Sequence, residues 1–462
     1  MAEIKQIFLI VNIGIMFLIC IVGSTYSSPA ETIKTEVITQ HSLQTVVDLI
    51  DEQEYKKAFN NLEQISNLDY CLLKYNKQKF TTLLNEYKEI LIEEANNHTN
   101  NGDYVFALNL LNSKHKYYKN DENINLLIKY NTQQIQKLNL VEYNGKIEHL
   151  TTNCLLAFPE KALNTNNPLH ETFDKNYLTP IEFEKILFSL YSNNYVLVSP
   201  ESVFVNTNGN IKQNTLWLPS NKKPLILSFS NCSYVGNTKN KGLIDKIILD
   251  RNGNLATFTS KQKIAERVSY DNEFITILES FVKTYPEFSF NGAKGLICLN
   301  GQNGILGYKT QRSNATSRYE IKKALQVISK LKNLGWTFAC SGYTDENLEK
   351  LSDVEFSKVI SNWVNEVEPI VGKTKIFVSN CNFNALNTQN DANLSYKQQL
   401  LVDYGFELFC QIGSNLNQSY NNIMVMEQQR LSGETLRTVN FSNLFANEQV
   451  YDHTNRTKPF KH

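Results

Sequence analysis

The chain has 462 residues, which at about 100–200 residues per domain suggests two to four domains. Its 42% hydrophobic and 20% charged residues form an ordinary globular mix and exclude a wholly disordered chain. Lys+Arg and Asp+Glu are 46 each, so no basic excess marks a nucleic-acid binder. Eight cysteines without a CxxC pair exclude a disulfide-stapled scaffold and a zinc ribbon.

Residues 1–30 read as a targeting segment. Lys5 precedes an apolar run, Ile7 to Gly23, and STYSSPA follows it. This is the order of a secretory signal, and the run is also long enough to border on a spanning helix. Cleaved leader and uncleaved anchor both stay open, and either places the rest of the chain outside the cytoplasm. Cys20 follows Phe17-Leu18-Ile19, which lacks the small residues of lipoprotein processing. Residues 31–41 are a polar tether.

From 42 to 140 the pattern is helical, with apolar residues at three and four spacing in VVDLI, AFNNLEQI, FTTLLNEYKEILI and VFALNLL. Glu54-Tyr55-x-x-Ala58-x-x-x-Leu62 and Asp103-Tyr104-x-x-Ala107-x-x-x-Leu111 are alike. An aromatic, a small residue and a leucine at this spacing suit closely packed, tetratricopeptide-like helix pairs. A generic helical bundle or stalk accounts for the same pattern.

Beyond Lys146, apolar strands alternate with amphipathic helices. The strands are expected at His149–Phe158, Tyr195–Val198, Pro224–Phe229, Gly295–Leu299, Trp336–Ala339, Lys375–Val378, Leu408–Ile412 and Ile423–Met426. Thr179-Pro180-Ile181-Glu182 opens one helix with a capping box and a proline at its first position. Phe183, Ile186, Leu187 and Leu190 mark its buried face. Ile321, Ala324, Leu325, Ile328 and Leu331 mark a second helix, ended by Gly335. Phe356, Val359, Ile360, Trp363, Val364 and Val367 mark a third, stopped by Pro369. KIILDRNGNLATF, with Asn252-Gly253, reads as an inserted hairpin. Such alternation argues for an α/β domain with parallel strands, open or barrel-like.

The segments IEHLTTNCLLAFPEKALN, TPIEFEKILFSLYSNNYVLVSPESVF, KKPLILSFSN, PEFSFNGAKGLICLNGQNGILGYKT, LKNLGWTFACSGYTDENL and WVNEVEPIVGKTKIFV, then RLSGETLR and LFANEQVYD, follow one another in order. Together they resemble the polysaccharide deacetylase family (carbohydrate esterase family 4) over residues 147–452, with 453–462 as a tail. The resemblance implies a distorted (β/α) barrel with its site at the strand C-termini. It also implies removal of acetyl groups from a sugar polymer by zinc or another divalent metal, held by one Asp and two His, with a second Asp as base.

The aligned positions are Ser230 and Asn231 for the Asp pair, and Ser341 and Asp345 for the HxxxH pair. The family's arginine-proline-glycine motif falls at Phe377–Asn382, where FVSNCN has none of it. Neutral oxygens are poor zinc ligands, and a serine hydroxyl is a very weak base. The seven histidines are His41, His98, His115, His149, His170, His453 and His462, so none falls between 171 and 452 in any register. No catalytic residue and no metal or other cofactor is therefore expected.

Cys232, Cys340 and Cys381 flank these positions and could bind a soft metal or act as nucleophiles. Strand alternation, however, sends Cys232 and Cys340 under the helices if Asn231 and Ser341 face the site. His149 and His170 could approach the mouth but read better as hydrogen-bonded structural residues. GAKGLICLNGQNG has no Gly-Lys-Ser/Thr and reads as turns around a strand, not a phosphate loop. Tyr234, Tyr308 and Tyr343 are candidate sugar-stacking residues at the cleft.

The expectation is an exported pseudoenzyme, membrane-anchored or secreted. It would bind a cell-envelope glycan, with residual affinity for acetylated sugars, or a protein partner through the helical module. An active hydrolase with a site relocated to Asp345, Asp403 or the cysteines is the alternative. A structural protein whose helical segment matters most is a third.

Overall fold

A computed structural model describes residues 44–63, 77–100, 102–234, 238, 240–260, 263–379, 394–412, 418–420 and 422–460. The leader and tether lie outside these residues, as do Cys20, His41, Cys381 and His462. Among the described residues no helix is long and apolar enough to cross a membrane. The chain divides into two compact units. One holds the described residues up to Asn97 with Ala107–Lys129, and the other holds His98–Phe106 with Tyr130 onward.

The first unit is helical. Its segments come from a helix at 44–51 and from α1 (Tyr55–Glu63), α2 (Lys77–Asn100), α3 (Tyr104–Lys114) and α4 (Glu122–Lys137). Both look-alike pieces begin helices, α1 and α3, and Ala58, Leu62, Ala107 and Leu111 are all buried. Phe59 stacks on Tyr87 at 3.8 Å within a core that includes Phe80, Leu83 and Leu91. The tetratricopeptide reading is not confirmed; these helices run from 8 to 24 residues.

In the second unit all eight expected strands form, with shifted ends. They are β1 (Glu148–Asn153), β2 (Tyr195–Leu197), β3 (Lys223–Ser230), β4 (Leu296–Leu299), β5 (Thr337–Cys340), β6 (Ile376–Val378), β7 (Leu408–Ile412) and β8 (Ile423–Arg430). Seven close a parallel barrel in the order β4-β5-β6-β7-β8-β1-β3 and back to β4. The second strand departs from a regular barrel. It pairs with the first half of β3, Leu197 opposite Leu225, on the side that β4 takes higher up, with Leu296 opposite Ser228. The result is a closed, distorted (β/α) barrel.

Alternation along each strand separates two cores. Ile226, Leu296, Cys298, Ala339, Val378, Cys410 and Met426 fill the interior. Leu227, Phe229, Ile297, Leu299, Phe338, Cys340 and Val425 face the helices. Those helices are α5 (Pro180–Ser192), α6 (Phe274–Thr284), α7 (Ser317–Asn333), α8 (Asp353–Glu366), α9 (Tyr396–Asp403) and α10 (Gly433–Thr438). The capping box at Thr179 and Glu182 forms, as do boxes at Ser352/Glu355 and Ser395/Gln398. The inserted hairpin forms with Gly253 at φ 76°, where its turn needs a left-handed residue.

Two expectations are corrected. Leu325 on α7 is exposed and Val327 is buried in its place, so the buried stripe shifts slightly around the helix while Ala324, Ile328 and Leu331 keep their places in it. The residues read as a tail belong to the barrel unit, where Arg456 is buried among Asp174, Tyr177 and Glu182.

Candidate functional site

The C-terminal ends of β1, β3, β4 and β5 are neighbours and carry the positions singled out by sequence. Asn153 ends β1 opposite Ser230, the last residue of β3. Both belong to the inward-facing series that runs through Thr151 and Ser228. Ser230 is buried; its carbonyl accepts from the Cys154 N–H at 2.9 Å, and its hydroxyl lies against the Cys298 thiol. Asn231 follows with φ 57°, a left-handed conformation that asparagine tolerates better than most residues. Its Nδ2 donates to Asn153 Oδ1 at 2.8 Å, bridging the two strand ends.

On the next pair of strands, the Ser341 N–H donates to the Leu299 carbonyl at 3.1 Å. The N–H groups of Gly301 and Gln302 both donate to the Tyr343 carbonyl, at 3.1 and 2.9 Å. The loop after β5 is thereby fastened to the loop after β4. Asp345 sits on it at the exposed rim. Asn300 Nδ2 donates to its Oδ1, and Asn303 Nδ2 to its Oδ2 at 3.4 Å. Partial burial pushes the Asp345 carboxyl up, and the two amides pull the other way without cancelling it.

These residues do not fit a zinc centre. Ser230, Asn231 and Ser341 present hydroxyl and amide groups where two imidazoles and a carboxylate would be required, and Asp345 alone is anionic. Among the described residues no group of three or more His, Cys, Asp or Glu side chains converges to hold a metal. His149 points into the barrel below the mouth, with Nε2 2.9 Å from the Ser228 hydroxyl, and burial drives its imidazole down to about 3. The His170 ring is bonded to the Asn167 carbonyl at 2.9 Å.

Cys340 lies where strand alternation sends it, and Cys232 reaches the same side past the strand end, where the left-handed Asn231 breaks the alternation. Cys232 and Cys340 are buried in the helix-side core, and burial raises both thiols, as it does those of Cys154 and Cys410. Buried, protonated thiols are poor nucleophiles. Asp403, the other candidate for a relocated site, lies at the end of α9 bonded to Gln399 at 2.8 Å.

The tyrosines are a correction. Tyr234 and Tyr308 are 2% and 3% exposed, inside the hydrophobic core, and offer no ring face to a sugar. Position along the chain placed them near the cleft, but both are buried in the helix-side core. Tyr343 is half-buried, and its hydroxyl donates to Glu366 Oε2 at 2.7 Å. Burial and Glu366 together hold that hydroxyl well above its usual range.

Sequence reasoning passed over Asn153, Asn300 and Asn303. The signal available was their position, each at or just past the end of an apolar run. It also passed over Glu273, which caps α6 from a fully buried position. Glu273 Oε1 accepts from the N–H groups of Leu155 and Phe274, at 2.9 and 2.8 Å.

No protein-family model and no curated protein matches the sequence. Among solved structures, the chain is similar to the Streptococcus pyogenes deacetylase PplD in complex with acetate, with 13% identity and a TM-score of 0.34. The match covers 64% of this chain and 97% of that one. A superposition this loose adds nothing to the barrel established by strand pairing. Among the described residues, fold and site define a closed parallel α/β barrel whose strand ends carry several amides, the Asp345 carboxylate and Arg430.

Proposed function

We propose that the chain is an exported, polysaccharide-deacetylase-like barrel protein that binds a cell-envelope glycan without deacetylating it. The observation that supports this reading most is the hydrogen-bonding of the mouth. Asn231 is engaged with Asn153, and Asp345 with Asn300 and Asn303, at the positions the family resemblance assigns to metal chemistry. Amides and hydroxyls recognise sugar hydroxyl and amino groups, whereas a metal-activated water needs a charged or imidazole ligand set. Export is proposed from the leader pattern at residues 1–30.

The test has two arms. Acetate release is followed from acetylated chitin and peptidoglycan fragments with added zinc or cobalt, beside an intact deacetylase. Binding is followed by NMR with glucosamine oligomers of graded acetylation. The expected result is no release above a blank, with shifts at the Asn153, Asn231, Asn300 and Asn303 side-chain amides. Chelator-sensitive release would establish the divergent-hydrolase alternative. Amides that stay unmoved by every oligomer would end the glycan reading.

A further inference from the structure

We propose that a second site, outside the barrel mouth, binds the phosphate group of a small phosphomonoester such as a sugar phosphate. The site is a cavity of about 380 Å³ beside α6 and the end of α7, lined among others by Lys283, Lys294, Lys330, Glu279, Tyr270 and Asn254. That volume falls in the range of small-ligand sites, about 300–1,000 Å³. Lys294 precedes β4 and Leu334, also in the wall, precedes β5. The cavity therefore lies towards the strand N-termini, away from the mouth at their C-termini, and does not depend on the glycan reading.

Lys294 is the first observation. It is 5% exposed, and a lysine is almost never so buried unless it is paired. Its ammonium donates to the Leu334 carbonyl at 3.1 Å, which uses one of three protons. Among the described residues no carboxylate lies within 4.0 Å of this ammonium, nor of those of Lys283 and Lys330. A buried cation without a counter-charge is costly, and an anionic ligand removes that cost.

Charge is the second. Three ammonium groups face one lining carboxylate, Glu279, whose Oε1 accepts from the Trp336 indole N–H at 2.6 Å. Burial pushes the Glu279 carboxyl up, while Lys294 and Lys330 pull it down, so both ammonium groups act on the same space. Asp250 is bonded to two groups of the wall, the Tyr270 hydroxyl at 2.9 Å and the Asn254 amide at 3.3 Å. With Asp250 counted, positive charges still outnumber negative ones in and around the cavity. Lys283 and Lys330 stand in the last turns of α6 and α7, where the helix dipole favours cations, but Lys294 belongs to neither helix. A phosphomonoester carries a charge of about −1.5 to −2 at pH 7 and three acceptor oxygens, which suits three ammonium donors better than a carboxylate does. Asn254, Tyr270 and Ser280 leave polar wall for a hydroxylated remainder of the ligand.

The experiment is calorimetric titration of the full chain at pH 7 with glucose 6-phosphate, inorganic phosphate, glucose and glucuronate. Glucose 6-phosphate is expected to bind about tenfold tighter than glucose or glucuronate, and tighter than inorganic phosphate. High salt should weaken it. Lys294→Met should cost about tenfold in affinity, the scale of a charge-assisted hydrogen bond. Lys330→Gln removes an ammonium that makes no hydrogen bond or ion pair among the described residues, so it should spare the fold and still weaken binding several-fold. Glu279→Gln removes the opposing charge and should tighten binding. Binding of neither phosphate compound overturns the inference, as does binding that Lys330→Gln leaves unchanged. Glucuronate binding as tightly as glucose 6-phosphate overturns the choice of phosphate, and inorganic phosphate doing so overturns the choice of a monoester.

Discussion

Arg456 grips Glu182 as a two-pronged fork: Nε donates to Oε1 at 2.6 Å and Nη2 to Oε2 at 2.7 Å, with both side chains fully buried. The same guanidinium reaches Asp174 Oδ1 at 3.0 Å and the Tyr177 carbonyl at 2.7 Å. Glu182 is also the third residue of α5, where its Oε2 accepts from the Thr179 N–H at 3.0 Å. One arginine near the C-terminus therefore ties the last described residues to a helix cap more than 250 residues earlier in the chain.

Removing one partner of a buried ion pair leaves the other uncompensated, at a cost of about 3–5 kcal/mol. Arg456→Ala is expected to lower the urea stability of the barrel unit by that amount. Arg456→Lys keeps the charge without the fork and should recover less than half. A loss under about 1 kcal/mol for Arg456→Ala would show that the clasp does not hold the barrel.

Glu273 gives a pH dependence of defined sign. Its Oε2 is buried without a hydrogen-bond partner beside Tyr234, and burial pushes the carboxyl up to about 8. The unfolded carboxyl titrates near ~4.3, so between these values the folded state holds a proton that the unfolded state has released. The contribution of Glu273 is complete below the unfolded value and is lost as pH rises through the folded one. Glu273→Gln cannot ionise and should gain on the wild type by a few kcal/mol between about pH 4.5 and 8.5 in urea titrations. A difference that stays flat across this range would place the group outside the apolar core.

How much of this was legible in the sequence depended on which physical constraint applied. Strands buried on both faces read as unbroken apolar runs, so all eight could be found from segments such as PLILSF and IFV. Their ends could not, since Ser230 and Cys340 continue the pairing without continuing the run. Strand parity placed Cys340 under the helices, because alternation is geometric, whereas Cys232 reaches the helix-side core only because the left-handed Asn231 breaks the alternation past the strand end. No such rule applied to Tyr234, which lies past the strand end with φ 53°. Asn300 and Asn303 looked like turn residues, and only the folded loops reveal that both face Asp345. Arg456 lay in a polar stretch whose partners are far away in the chain.

The alignment of the mouth can be tested by rebuilding the ligand set that the family resemblance implies. Asn231→Asp, Ser341→His and Asp345→His together place one carboxylate and two imidazoles at the aligned positions. The triple variant is expected to take up about one zinc per chain by elemental analysis, as a three-ligand site with an open position does. The wild type should take up none. A folded triple variant that stays metal-free would show that these strand ends are not the equivalents of the family's site.

Lys397 is the remaining determinant of where Asp345 sits. From the second residue of α9 its ammonium donates to the carbonyls of Leu348, Glu349 and Leu351, at 3.1, 3.0 and 2.5 Å. The ammonium also lies 5.4 Å from the Phe356 ring centre, a cation–π contact. The loop carrying Asp345 is thus held at one end by Gly301 and Gln302 and at the other by Lys397. Lys397→Met keeps the stem and removes all three donors, so the loop should loosen. The expected result is a several-fold fall in affinity for the glucosamine oligomers and a stability loss of about 1–2 kcal/mol. Ile328→Val, in the core of α7, should cost a similar ~1 kcal/mol without changing that affinity. If the two variants shift the affinity equally, Lys397 acts through stability alone and does not position the carboxylate.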